Sequence, residues 1–338
     1  MEDIQTRLHQ LDEPSDALVQ DMARLRGDIL ILGVGGKIGP SLAILARRAV
    51  ERSGVSRRVI GVSRFSEKGL EERLQRSGIE TFRADLLDDA ALQALPTAEN
   101  VLYLAGTKFG TTGKEPFTWA MNTYLPGRVA EKYRGSRMVV YSTGNVYPFT
   151  LTSSGGADER TPPAPVGEYG ASCLGRERIF EYFSGEYQSP LVIYRLNYAN
   201  DLRYGVLVEI AKAVRGGQPL DVTTGHVNVI WQADANEMTL RALHHASVPA
   251  KVLNITGPET VSVRWIAEEF GGLMGTAPVF NGEEQPKALL SNAAESFRLF
   301  GYPRVPLKEM IRLTAQWLCQ GGETIQKPTH FQEREGQF

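Results

Sequence analysis

Five short apolar runs recur along the chain: Ile29 to Leu32, Arg58 to Val62, Val101 to Ala105, Met138 to Tyr141 and Leu191 to Leu196. Runs of this length that stay apolar on successive residues, instead of alternating, predict strands covered on both faces, as in a parallel sheet. Stretches between them, such as Pro40 to Arg52 and Phe117 to Tyr133, carry apolar residues at helical spacing. Strand and helix in regular alternation predict an α/β fold, a doubly wound parallel sheet of Rossmann type with helices on both faces. Residues 1–27 are expected to form a helical arm of two pieces split by Asp12-Glu13-Pro14-Ser15, with Ser15 as the N-cap of the second. Beyond Asn200 the texture changes to helical segments with the strands Val227 to Ile230 and Val252 to Ile255. This predicts a first domain over 28–200 and, mainly over 201–338, a smaller C-terminal α+β domain. Segments near 226–256 are expected to return to the first domain. The polar, proline-rich run Gly155 to Pro165 reads as a loop bordering a site.

A hydrophobic fraction of 42% with 22% charged residues is that of an ordinary soluble globular protein. The net charge of -2, without a basic stripe, speaks against nucleic acid or an anionic membrane as partner. Only Cys173 and Cys319 are present, without CxxC spacing, so neither a disulfide framework nor a zinc site is suggested. His244 and His245 are adjacent in an apparent helix and face different ways, so no metal pair is expected. No apolar run approaches the roughly 20 residues of a membrane span, and the acidic Met1-Glu2-Asp3-Ile4 start carries no targeting pattern. A soluble, cytoplasmic protein is expected.

The turn Gly33-Val34-Gly35-Gly36-Lys37-Ile38-Gly39 follows a predicted strand and opens a predicted helix. Glycines 33, 36 and 39 in that context let the backbone approach a pyrophosphate at a helix N-terminus, which predicts a dinucleotide site in the first domain. The second strand ends in Ser63-Arg64, where an acidic residue would bond an adenosine ribose hydroxyl. A guanidinium there suits a 2'-phosphate, so NADP is favoured over NAD, the alternative being a solvated loop arginine. Lys37 either adds charge near the phosphates or is a surface lysine.

Further motifs follow in order: Asp85-Leu86, Leu104-Ala105-Gly106, Asn122 in Met-Asn-Thr-Tyr-Leu-Pro-Gly, Ser142-Thr143-Gly-Asn-Val-Tyr147, and Glu168-Tyr169-Gly-Ala-Ser172-Cys173-Leu-Gly-Arg176-Glu177. With the glycine turn they resemble the extended short-chain dehydrogenase/reductase family, the NAD(P)-dependent sugar epimerases and dehydratases, over roughly residues 28–320. The resemblance implies cofactor contacts from Gly33, Gly36, Lys37, Ile38, Gly39, Ser63, Arg64, Asp85, Leu86, Ala105, Gly106, Asn122 and Tyr169. It makes Thr143 and Tyr169 the catalytic pair, with Cys173 in the position of the family's lysine. It also implies a small-molecule substrate and a homodimer formed through the helices beginning near Phe117 and Tyr169. Arg195-Leu196-Asn197 resembles the family's Arg-x-x-Asn run but is one residue short, which leaves Asn197 without a firm role.

In such a site the tyrosine is the acid or base on a substrate oxygen and the threonine hydroxyl holds that oxygen. A phenol of pKa about 10 is only on the order of 0.1% ionised at pH 7, so a neighbouring ammonium is needed to lower it. Cys173 lies one helical turn from Tyr169, and a neutral thiol cannot do this. Lys108, just past the fourth strand, is the first candidate for the missing cation, and Arg176, two turns beyond Tyr169, the second. The expected function is an NAD(P)-dependent epimerase/dehydratase-like oxidoreductase acting on a sugar, nucleotide sugar or sugar-like hydroxy compound. The alternative is a non-catalytic NADP(H)-binding or sensor protein. Cys173 as a nucleophile stands against Cys173 as a small packed hydrophobe. Glu177 and Glu181 read as a solvated face or i,i+4 partners, and Tyr147 as core or pocket lining.

Overall fold

The computed structural model describes residues 4–108, 110, 112–325 and 327–337. In chain order, β1 (Ile29–Leu32), β2 (Val59–Ser63), β3 (Glu80–Arg83), β4 (Asn100–Tyr103) and β5 (Arg137–Thr143) share one sheet with the strands Leu191–Leu196 and Lys251–Ile255. All pairings are parallel, and across the sheet the order is Lys251–Ile255, Leu191–Leu196, β5, β4, β1, β2, β3. The alternation of side chains along a strand divides the core in two. Ile29 and Ile31 pack with Leu42, Ala46 and Ala49 on one face, while Leu30 and Leu32 pack with Val101, Tyr103 and Val129 on the other. β3 is an exposed edge strand and therefore lacks an apolar run. β1 lies between β2 and β4, the point where strand order reverses and a crevice opens at the carboxyl ends.

The stretch expected to be one helix over Phe117 to Tyr133 is three pieces: Glu115–Trp119, a π-helical turn Ala120–Tyr124, and Leu125–Lys132. Pro126 has no N–H to give the carbonyl of Asn122, and the Leu125 N–H reaches back to Ala120 instead. The Asn122 carbonyl accepts from Arg176 Nε at 3.4 Å. The expected strand Val227 to Ile230 is likewise split into His226–Val227 and Ile230–Trp231. Between them the buried Asn228 donates to Glu259 O at 3.0 Å and accepts from Ser291 N at 2.8 Å, contacts that a continuous ladder would not satisfy.

A second core joins the helices Val206–Arg215, Val263–Met274 and Leu307–Cys319 through Leu207, Ile210, Ile266, Phe270 and Met310. The N-terminal segment is packed into both cores: Ile4 and Leu11 join the second, Leu18 and Met22 the first. Residues 1–3 lie outside the described residues. Ser15 caps Asp16–Arg24, its hydroxyl accepting from Leu18 N at 3.1 Å. The loop 155–165 does not border the cavity described below. Ala157 bridges to Ser291, and Glu159 accepts from Asn254 N at 2.9 Å, so the loop covers a buried polar network. Among the described residues no helix is long and apolar enough to cross a membrane.

Candidate active site

The crevice at the carboxyl ends of β1, β2 and β4 is a groove of about 610 Å³ lined by Gly33, Gly36, Lys37, Ile38, Gly39, Ser63, Arg64, Asp85, Leu86, Ala105 and Gly106. Gly33 has φ +89°, and a Cβ there would meet Ala105 N at 2.7 Å, so only glycine lets the ends of β1 and β4 approach. A Cβ on Gly39 would strike Val34 O at 2.3 Å. At Gly36 a Cβ would meet nothing closer than Gly33 O at 3.5 Å, leaving a cradle open toward the groove. With the helix Gly39–Arg52 beginning at this turn, its free N–H groups and dipole suit a pyrophosphate, and the residues fit a dinucleotide. Arg64 and Asp85 stand on the groove rim 3.9 Å apart with half-exposed side chains.

The groove opens into a cavity of about 260 Å³ through Lys37, Ile38, Leu104, Gly106, Thr107, Lys108 and Tyr141, which line both. Thr143 ends β5, and Tyr169 occupies the first turn of the helix Gly167–Tyr187; both side chains face the cavity. The Thr143 hydroxyl lies near enough to the Tyr169 phenol to favour its ionised form. Asn145 holds Thr143 Oγ1 through its side chain at 3.0 Å and its backbone N–H at 3.2 Å. Burial and the adjacent Cys173 push the Tyr169 phenol above its ordinary value, while the guanidinium of Arg176 pulls it back down.

Arg176 is buried and tightly held. Its Nη1 donates to Tyr141 O at 2.8 Å and its Nη2 to Asn122 Oδ1 at 2.7 Å. A Cβ on Gly106 would lie 2.3 Å from Arg176 Nη2, so Gly106 is the residue that leaves room for the guanidinium. Side chains of a helix lean toward its N-terminus, which carries this long one back toward Tyr169. Lys108, the first candidate by sequence, lies 5.7 Å from the centre of the Tyr169 ring, but its ammonium donates to Thr329 O at 3.1 Å.

The other sequence candidates take definite places in the structure. Asn122 lines neither the groove nor the cavity: its amide is filled by Thr107 N, Thr107 O, Ser172 Oγ and Arg176. It anchors the Arg176 guanidinium. Cys173 is 0% exposed among Val146, Tyr147, Ala157 and Leu174, and burial raises its thiol pKa, the opposite of what a nucleophile needs. Glu177 is 0% exposed, not solvated: it takes Arg195 Nε at 2.9 Å, Arg195 Nη2 at 2.6 Å and Ser142 Oγ at 2.5 Å. Tyr147 belongs to that network, accepting from Arg195 at 2.7 Å and donating to Asn254 at 2.9 Å. Lys37 is no surface lysine. Its ammonium is shielded from solvent 3.3 Å above the Tyr204 ring, and burial together with Lys108 and Lys327 brings its pKa down to about 7. Asn197 lines the cavity and donates to Leu289 O at 3.4 Å. Tyr198, Tyr204 and Thr329, which also line the cavity, carry no sequence signal.

The profile of the NAD dependent epimerase/dehydratase family matches residues 29–201. Among solved structures, UDP-glucose 4-epimerase from Thermotoga maritima, with UDP-glucose, is 19% identical at TM-score 0.72, covering 87% of this chain and 99% of that one. UDP-glucuronic acid 4-epimerase from Bacillus cereus, in complex with NAD, is 21% identical at TM-score 0.71, covering 87% and 96%. The epimerase Mth375 of Methanothermobacter thermautotrophicus is 18% identical at TM-score 0.71, covering 90% and 96%. At these identities the likeness is one of fold. None of the curated proteins matches the chain in sequence. The chain belongs to the NAD dependent epimerase/dehydratase family.

Proposed function

From that membership we propose that the protein is an NAD(P)-dependent oxidoreductase acting at a hydroxyl- or carbonyl-bearing carbon of a sugar-like compound. The observation that carries this reading is the Tyr169–Thr143 hydroxyl pair at the opening of the glycine-turn groove, with the Arg176 guanidinium fixed beside it. A bound nicotinamide supplies the hydride acceptor or donor. Tyr169 takes the proton from, or returns it to, the substrate oxygen, and Thr143 orients that oxygen. Arg176 does what a thiol at position 173 cannot: a fixed positive charge favours the ionised phenol against the cost of burial. It replaces Lys108 as the preferred cation because its charge acts on the phenol while Lys108 is turned to Thr329.

For the cofactor, the rim position of Arg64 supports NADP over NAD. Its contact with Asp85 is long and exposed, costs little to break, and leaves the guanidinium able to take a 2'-phosphate. Solved relatives carry NAD, so the preference rests on Arg64 alone. A homodimer is supported by the exposed Phe117, Trp119, Tyr124 and Tyr182 along the two helices expected to pair.

The test is hydride transfer with NADPH or NADP across sugar-derived ketones and hydroxy compounds. Tyr169→Phe should keep cofactor binding and lose turnover by about 10²–10⁴-fold. Unchanged turnover in that variant, or no cofactor binding by the wild type, overturns the reading. The raised phenol favours one second reading, a cofactor-binding or sensor protein. That reading expects fluorescence transfer from bound NADPH without any substrate-dependent change in absorbance.

A further inference from the structure

A second cavity, of about 290 Å³, lies where the N-terminal arm meets the helices Gly39–Arg52 and Gln232–Ala242. Leu8 and Asp12 reach it from the arm, Leu45 and Arg48 from the first helix, and Asn236 from the second. Among the described residues Gln232 alone lines both this space and the cavity beside Tyr169. No described residue of the dinucleotide groove borders it. A molecule held here leaves the cofactor and the Tyr169 site free.

Two residues of its wall carry a buried polar atom that has no hydrogen-bond partner among the described residues: Trp231 Nε1 and Asn236 Oδ1. The residues are 3% and 1% exposed. Hydrogen bonding fixes which end of the Asn236 amide is left over. Ser41 Oγ gives its one proton to Ile38 O at 3.0 Å and accepts from Gln232 Nε2 and Asn236 Nδ2, both at 2.9 Å. Turning the amide over would set Asn236 Oδ1 against an oxygen with no proton to give. The wall therefore holds one unused donor and one unused acceptor, each costly to bury in that state. Packing alone would be served as well by phenylalanine and leucine.

Charges of both signs line the same space. Asp12 and Asp201 supply carboxylates, Arg48 and the exposed Arg203 guanidiniums. Asp201 Oδ1 accepts from Arg203 N and Tyr204 N, both at 2.7 Å, and Arg48 Nη1 donates to Asp12 O at 3.3 Å and pairs with Glu13 at 3.4 Å. Leu8, Ile44, Leu45 and Trp317, whose N–H is spent on Glu323 O at 3.0 Å, form an apolar wall. We infer that this cavity is a second ligand site, for a small zwitterion with an ammonium, a carboxylate and an apolar body, as in a free amino acid. The ammonium has Asn236 Oδ1 and the carboxylates of Asp12 and Asp201 to meet. The carboxylate has Trp231 Nε1 and the guanidiniums of Arg48 and Arg203. A ligand with one charge satisfies one of the two unused groups and leaves the other buried. This site goes beyond the oxidoreductase reading and stands without it.

The experiment is calorimetric titration of the full chain, with and without NADP, using three probes: L-phenylalanine, 2-phenylethylamine, which lacks the carboxylate, and 3-phenylpropanoate, which lacks the ammonium. L-Phenylalanine should bind roughly tenfold or more tighter than either, and NADP should not displace it. Asp201→Asn keeps an oxygen for the two backbone N–H groups and removes the charge. Combined with Asp12→Asn, it should bring L-phenylalanine down to the level of 3-phenylpropanoate. Trp231→Phe, which keeps a ring and loses the N–H, should weaken L-phenylalanine by about fivefold and leave 2-phenylethylamine unmoved. Should the double variant fail to fold, the probe ranking and Trp231→Phe still decide. A ranking in which L-phenylalanine is not the tightest, binding of none of the three, displacement by NADP, or an L-phenylalanine affinity that survives the variants would each overturn the inference. The oxidoreductase reading fails separately, through absent cofactor binding or a Tyr169→Phe variant that turns over normally.

Discussion

Arg176 and Glu177 are consecutive residues of one helix, about 100° apart around its axis, and they face two polar regions of opposite design. Behind the helix, Glu177 meets Arg195 in a two-pronged ion pair, Ser142 and Tyr147 extend it, and Asn254 closes it onto backbone carbonyls. Each buried charge there has its opposite. In front, Arg176 is held by neutral oxygens of Tyr141 and Asn122, and no carboxylate lies within ion-pair distance of it among the described residues. A region that neutralises its own charges is finished as structure. A region that buries cations beside a cavity and supplies only dipoles retains an electrostatic deficit that a ligand can fill.

The sharpest way to break this contrast is Glu177→Ala. It strands Arg195 in the core and should cost about 3–5 kcal/mol of unfolding free energy in urea. A loss below about 1 kcal/mol would mean that the network contributes little. On the other side, Arg176→Met should leave the fold standing and shift the catalytic limb. Removing the cation raises the Tyr169 pKa further, so oxidation, which needs the phenolate, moves to higher pH and falls at pH 7 by about 10–10³-fold. Arg176→Lys should recover part of that rate, whereas a purely structural role predicts no displacement of the pH–rate profile. A smaller effect is expected on the groove rim, where Arg64→Met should weaken NADP binding about tenfold and leave NAD binding unchanged. Finest of all is the stability of Lys108→Met. Because the folded-state pKa of Lys108, about 8, lies below its ordinary value, the charged lysine destabilises the fold below pH 8. The variant should therefore melt a few degrees higher at pH 7 in the absence of ligands, the gain vanishing as pH rises past 8 toward the ordinary lysine range. An unchanged Tm at pH 7 would argue that the ammonium is already compensated.

Local pattern carries the sheet apart from its exposed edge strand β3. Ile29 to Leu32 is buried on every residue, and glycines at 33, 36 and 39 follow directly from a strand that must turn sharply into a helix. Thr143 and Tyr169 were legible too, since each sits in a motif bounded by neighbours within a few residues. What the pattern could not reveal is how distant groups share charge. Arg176 reaches the cavity only because Tyr141 and Asn122, distant in sequence, hold its guanidinium and Gly106 leaves space for it. Thr329 reaches Lys108 across a separation of 221 residues. Periodicity and turn chemistry are short-range and written residue by residue, whereas electrostatic compensation depends on distances that exist only after the chain has closed on itself.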